Sequence, residues 1–326
     1  MRLFFSLVEN ETLKILRRHR FTIVVAILTV VMGTVTYGQY QNSRRHEGED
    51  WRAVSQQRIA RYQTVLRRSG VNESWARSLR AEVDRLQFHL DHDIDPEEVT
   101  APSFARNFPA AAGFLLLPLL ISVLGSDIVS AESAEGTEKF LLTKPVRRWK
   151  ILAAKLATLY LFTSLTLLVG GMIAYGISSL VFVPRGWEAP VFSGFQISGE
   201  GLQFDTVRQL PLWLDSIVAY GLQWFSLSCV ATIALMLSVF FRSSSGSIGT
   251  MLAALIAGTI LTRVSPDWTA GKYLFVSAVP VASYYSGQAP PYPGMSVEFC
   301  IGLLLIWAVA SLAAAFIYFT RRDIYG

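Results

Sequence analysis

Charge is scarce in this chain, and so is cysteine. Asp, Glu, Lys and Arg make up 16% of its 326 residues, where a soluble domain carries roughly 25%. With 52% hydrophobic residues, that shortage excludes a disordered protein and an ordinary soluble enzyme. The two cysteines, Cys229 and Cys300, fall inside apolar runs. They exclude a disulfide framework and a zinc knuckle, and read as small buried hydrophobes. Catalytic signatures are missing too. There is no H-E-x-x-H, G-x-S-x-G or C-x-x-C, and no G-x-x-x-x-G-K-[ST] to cradle a nucleotide phosphate. Gly271-Lys272 is followed by Tyr273 and is no phosphate loop.

What the chain has is long runs without charge. Residues 21–38, 107–126, 156–184, 216–241, 243–262 and 299–320 are six such windows. Each approaches or exceeds the ~20 residues that cross a bilayer. They predict an all-α membrane protein with spans at 21–38, 108–126, 156–182, 214–241, 243–262 and 298–320. Because the windows hold no Asp, Glu, His, Lys or Arg, a proton relay inside the membrane is disfavoured. Energy for any uphill transport is then expected from outside the bilayer. A further uncharged stretch, 273–297, contains Pro280, Pro290, Pro291 and Pro293, which no continuous helix accommodates. The segment 263–297 is expected to be extracytoplasmic and partly re-entrant. Trp268, Tyr273, Tyr284, Tyr285 and Tyr292 are placed at headgroup depth.

Basic residues orient the spans. With both termini cytoplasmic, the inner segments hold 14 Lys and Arg and the short outer loops hold 4. The long segment 39–107 is set aside, because long loops translocate largely regardless of charge. It carries 11 arginines against 11 acids, so it offers no polyanion-binding surface, and no nucleic-acid partner is expected. Two helical stretches within it, around Trp51–Leu66 and Leu79 to Leu90, predict an extracytoplasmic helical hairpin with Asn72 as an N-cap. Tyr62, Leu66, Leu79, Val83 and Leu86 should pack together. Its end gathers His89, Asp91, His92, Asp93 and Asp95, with His46 earlier. A divalent metal would suit the His pair at i, i+3; a polar helix end explains the same residues and is the reading adopted. Residues 1–20 form an amphipathic helix, with Phe4, Val8 and Ile15 on its apolar side and Glu9, Glu11, Lys14, Arg17 and Arg18 on the other. An elbow lying in the inner interface is expected. Outer residues 183–213 receive no assignment, and 321–326 form a cytoplasmic tail.

The one sizeable cytoplasmic segment is 127–155. Glu132, Glu135 and Glu138 recur every three residues and can line one helical face. Phe140 and Leu141 follow, Pro145 breaks the helix, and Arg147 and Arg148 lead towards the next span.

Here the sequence resembles a known family. The run EGTEKFLLTKPVRRWKIL at 135–152 is similar to the Gly-Thr, Leu-Leu-Thr, Pro-Val, Arg and Ile-Leu pattern of type-2 ABC transporter permeases. LVENE at 7–11 looks like that family's elbow, and LQFHLDHDIDP at 86–96 like the end of its outer loop. YYSG at 284–287 and FTRRDI at 319–324 look like its last outer segment and its C-terminal signature. The resemblance implies a permease subunit of an exporter in a bacterial plasma membrane, paired with a second permease, identical or homologous. Two ATP-binding subunits would dock beneath the pair. The chain itself would hold no cofactor, with ATP and Mg on the partner, and would be no enzyme. Glu132, Glu135, Glu138, Phe140, Leu141, Arg147 and Arg148 are the expected ATPase-docking residues. The alternative is a membrane sensor whose receptor domain is the outer hairpin.

Overall fold

The computed structural model describes residues 2–45, 50–68, 73–95, 99–134, 147–194, 196–198, 201–203, 207–265 and 268–321. Helices α1 (Arg2–Arg17) and α2 (Arg20–Arg45) open the chain, followed by α3 (Trp51–Leu66) and α4 (Glu73–Asp91). Next come α5 (Ala101–Gly113), α6 (Leu116–Gly125), the short α7 (Ser130–Ala134) and the long α8 (Arg148–Ser178). Four short strands lead to α9 (Leu212–Phe240) and α10 (Ser244–Val264). The short helices α11 (Phe275–Ala278) and α12 (Val281–Tyr285) precede α13 (Val297–Arg321). Helices α2, α8, α9, α10 and α13 are long and apolar enough to cross a membrane, and the bent pair α5–α6 makes a sixth candidate span. The chain is therefore a helical membrane protein.

Helix α9 is the central post. It packs against α5, α6, α8, α10, α12 and α13, and its small residues Ala219, Ala231 and Ala234 are fully buried. Small side chains let helices approach closely where lipid leaves no hydrophobic driving force between them. Gly170 of α8 serves the same purpose. The ring of Phe108 lies against it so closely that a Cβ there would stand 2.4 Å from Phe108 Cζ.

The span expected at 108–126 is instead broken, and the helical path begins at Ala101. Thr100 and Ser103 form a reciprocal capping box, so the helix starts several residues before the charge-free window. It bends by 62° between α5 and α6. Pro109 removes the amide that would bond the Ala105 carbonyl, and the last carbonyls of α5 have no helical partner. Side chains from elsewhere fill the gaps. Tyr220 Oη donates to Ala105 O at 2.9 Å, and Ser283 Oγ donates to Ala110 O at 2.9 Å. Helix α6 starts at Leu115 without a side-chain cap; Pro118 removes one of the amides that would otherwise be left unpaired.

Other expectations are corrected as well. Lys155 lies inside α8, which starts at Arg148, so the helix begins before the charge-free window at 156. Asp215 lies in the first turn of α9, fully buried. The spans are therefore not free of buried charge at their ends. Among the described residues, 183–211 hold no helix. Strands β1 (Pro190–Ser193) and β4 (Arg208–Pro211) pair antiparallel, as do β2 (Gln196–Ser198) and β3 (Gly201–Gln203), so the fold is helical with two small ribbons. Segment 275–285 packs within the bundle against α5, α9, α10 and α13, and Ser226 Oγ donates to Val279 O at 2.8 Å. Of the aromatic residues named for segment 263–297, Tyr284 and Tyr292 are buried in the bundle, whereas Trp268 and Tyr273 are exposed.

Helices α3 and α4 lie against each other. Asp50 caps α3, accepting from Arg52 N at 3.1 Å. Helix α4 ends in a Schellman turn, with Ile94 N donating to His89 O and Asp93 N to Leu90 O. Asp93 takes the left-handed position, φ 54°, and its carboxylate accepts from Arg52 Nε at 2.9 Å. That bond joins the start of α3 to the end of α4, which makes the pair antiparallel. Leu86 and Ile59 are buried between them, while Tyr62, Leu66, Leu79 and Val83 are half-buried. Asn72 lies outside the described residues.

Candidate functional site

Two charge clusters lie buried at opposite ends of α9. The inner one is built from α1, α7 and α8. Lys155 Nζ donates to Glu11 Oε2, Glu132 Oε1 and the Ile128 carbonyl, each at 2.9 Å. Lys14 Nζ donates to Glu11 Oε1 at 2.8 Å and Glu132 Oε1 at 2.6 Å. Two ammonium groups and two carboxylates thus form a closed, neutral ring. Arg20 pairs with Asp127 beside it. Lys155 is fully buried and Glu11 nearly so. Burial alone would lower the pKa of the half-exposed Lys14; its bonds to Glu11 and Glu132 outweigh this and raise it. Ser238 of α9 closes the lower side, its Oγ accepting from the amides of Val129 and Ser130 at 2.9 and 3.0 Å.

This geometry revises one expectation. Glu11 does not decorate the polar side of α1. It lies three residues after Val8 and four before Ile15, so helical spacing turns it onto the buried stripe. Glu132, expected among the docking residues, is bonded to Lys14 and Lys155. Arg147 is exposed, and Arg148 Nη1 donates to the Thr320 carbonyl at 3.3 Å. Glu135, Glu138, Phe140 and Leu141 lie outside the described residues.

The outer cluster joins α5, α9, β1 and the end of α12. Arg106 pairs with Asp215, which also accepts from Ser193 Oγ. Arg106 Nη1 donates to Ser286 Oγ at 3.0 Å and Asn107 Oδ1 at 3.1 Å. Between the clusters, at the bend, sits Gln223. It is fully buried, neither of its amide atoms has a hydrogen-bond partner, and its carboxamide stacks on Gly113.

A metal at the end of α4 finds no support in the geometry. Among the described residues, no three His, Cys, Asp or Glu side chains converge. His89 Nδ1 donates to Arg85 O at 2.7 Å, and the His92 ring lies 4.1 Å from that of Phe88. Burial lowers the His89 pKa. His46 lies outside the described residues.

Six candidate spans and ion pairs buried at their ends define a multi-helix membrane protein. More narrowly, the chain belongs to the family described as "Protein of unknown function (DUF2705)", whose profile matches residues 92–325. It is 27% identical to "Uncharacterized protein YhcI" of Bacillus subtilis (strain 168) over 323 residues, 98% of this chain and 99% of that one. It is 26% identical to "Uncharacterized membrane protein YdbK" of the same organism over 214 residues, 64% of this chain and 78% of that one.

Proposed function

We propose that the chain is the membrane-spanning subunit of an ATP-driven exporter in a bacterial plasma membrane. It works with a second permease, identical or homologous, and with two separate ATP-binding subunits that hold ATP and Mg. Both termini face the cytoplasm, α1 is the elbow in the inner interface, and the α3–α4 hairpin stands outside. The chain has no ATPase site of its own.

The inner charge ring is the observation that carries this reading. Segment 135–146, which bears the strongest resemblance to type-2 ABC permeases, is flanked by α7 and α8. Glu132 on one flank and Lys155 on the other are bonded to each other and to α1. A displacement delivered to the intervening segment therefore reaches three elements together, two of which lead directly into spans. That is the mechanical input required by a transporter whose central spans lack a proton relay.

The test is purification of the tagged chain from its native membrane in mild detergent. An ATP-binding-cassette polypeptide should co-purify, and the complex, unlike the chain alone, should hydrolyse ATP. Phe140→Ala should release the partner without lowering thermal stability, whereas Glu132→Ala should lower thermal stability. Orientation is checked by impermeant thiol labelling of Gln57→Cys and Arg147→Cys, since the native cysteines are buried. Purification without any nucleotide-binding subunit, or labelling of Arg147→Cys but not Gln57→Cys in intact cells, would overturn the reading.

A further inference from the structure

A cavity of about 600 Å³ opens between the end of α4, the start of α5 and the segment that joins α8 to β1. That volume suits a ligand of small-molecule size or a lipid headgroup. Three arginines line it, Arg85, Arg106 and Arg185. Arg85 is shared with Glu82 and Arg106 with Asp215. Arg185 is exposed and makes no ion pair among the described residues. Two acids also line the cavity. Asp93 is paired with Arg52. Three guanidinium groups thus face two carboxylates across the cavity, and the exposed Arg185 is the cation open to a ligand.

The opposite wall is apolar, formed by Val183, Val191, Phe192 and Leu212. It continues outward over the end of α8, where Leu180 and Val183 are 84% and 62% exposed. Trp187 and Trp213 flank this strip and are also exposed, and such indoles favour the depth of lipid headgroups. The arginine-lined cavity and the exposed apolar strip thus meet at Val183.

We propose that this cleft binds an anionic amphiphile, its acidic head against Arg185 and Arg85 and its chain along Leu180 and Val183. The site is independent of the ATPase reading, since it needs no partner subunit. Its ligand is either cargo or a lipid of the outer leaflet, and the shared chemistry is an acidic headgroup joined to a hydrocarbon tail.

The test uses the full chain in zwitterionic nanodiscs and follows indole fluorescence during titration. The probes are dihexanoyl phosphatidylglycerol, dihexanoyl phosphatidylcholine and glycerol 3-phosphate. The anionic lipid should bind at least about tenfold more tightly than either of the others, the worth of one charge-assisted hydrogen bond. Arg185→Glu should abolish that preference, and Arg185→Lys should retain most of it. Arg208→Glu, an equal charge change on β4 outside the cavity, should leave it intact. Equal binding of glycerol phosphate overturns the tail's part. Equal binding of phosphatidylcholine, equal loss in Arg208→Glu, or no saturable binding at all overturns the proposal.

Discussion

Replacing Lys155 with Met tests the inner ring most directly. Lys155 makes three bonds of 2.9 Å, two to carboxylates and one to a carbonyl, at a fully buried position. The ring holds two positive and two negative groups. Removing Lys155 leaves Lys14, whose side chain is 39% exposed, as the ring's one ammonium against two carboxylates, so the ring itself becomes net negative. Breaking a buried pair from one side costs about 3–5 kcal/mol. At about 2 °C per kcal/mol for a chain of this size, the melting temperature in detergent should fall by roughly 6–10 °C. The double variant Lys155→Met, Glu11→Gln removes one charge of each sign and should recover part of that loss, about 1–3 kcal/mol of coupling. Thermal unfolding of the wild type, both single variants and the double variant completes the cycle. Additive losses would refute the ring, because they would mean the two groups act independently. An unchanged melting temperature in Lys155→Met would refute its burial.

The outer hairpin should be acid-sensitive. Burial lowers the His89 pKa, so below the ordinary histidine pKa near 6.5 the unfolded chain binds more protons than the folded one. Stability is then full above about pH 6.5 and declines as pH falls below it. Limited proteolysis of α3–α4 at pH 7.5 and 5.5 should show faster cleavage in acid, a difference that His89→Gln reduces. Tyr220→Phe strips the donor from the Ala105 carbonyl and should cost about 1–3 kcal/mol, read as a lower melting temperature with no change in helix content by circular dichroism. Gly170→Leu drives a side chain into Phe108 and should lower stability by more than about 1 kcal/mol; pairing it with Phe108→Ala should relieve part of the clash.

Hydropathy marked where the candidate spans lie because a charge-free run of some twenty residues admits few other readings. It misjudged their ends. A window bounded by charge stops at Lys155 and Asp215, yet the helix continues through both, because each charge is neutralised by another element. Those partners, Glu11 and Arg106, are 144 and 109 residues away in sequence, and no local pattern reveals them. The spacing of Glu11 from Val8 and Ile15 was a legible signal, since it puts a carboxylate on an apolar stripe, where it needs a buried partner. The partners of Glu132, Lys14 and Lys155, are likewise on other elements and leave no local trace in the sequence. The bend at Gly113 was foreshadowed by Pro109 and Pro118, but in membrane helices such residues are often absorbed by neighbouring side chains. The ribbons at 190–211 rest on short strands, too brief for alternation to separate from loop.

The broken span has a mechanical consequence. Its inner arm, Leu116–Glu132, ends in the charge ring, and its outer arm, Ala101–Gly113, carries Arg106 at the floor of the amphiphile cleft. At 1.5 Å per residue the arms are about 25 and 20 Å long. Tyr220 and Ser283 hold two carbonyls of the outer arm from outside the span. If the bend is kept, such a piece works as a bell crank: a tilt of about 10° moves both tips by roughly 4 Å, in directions set by the 62° angle.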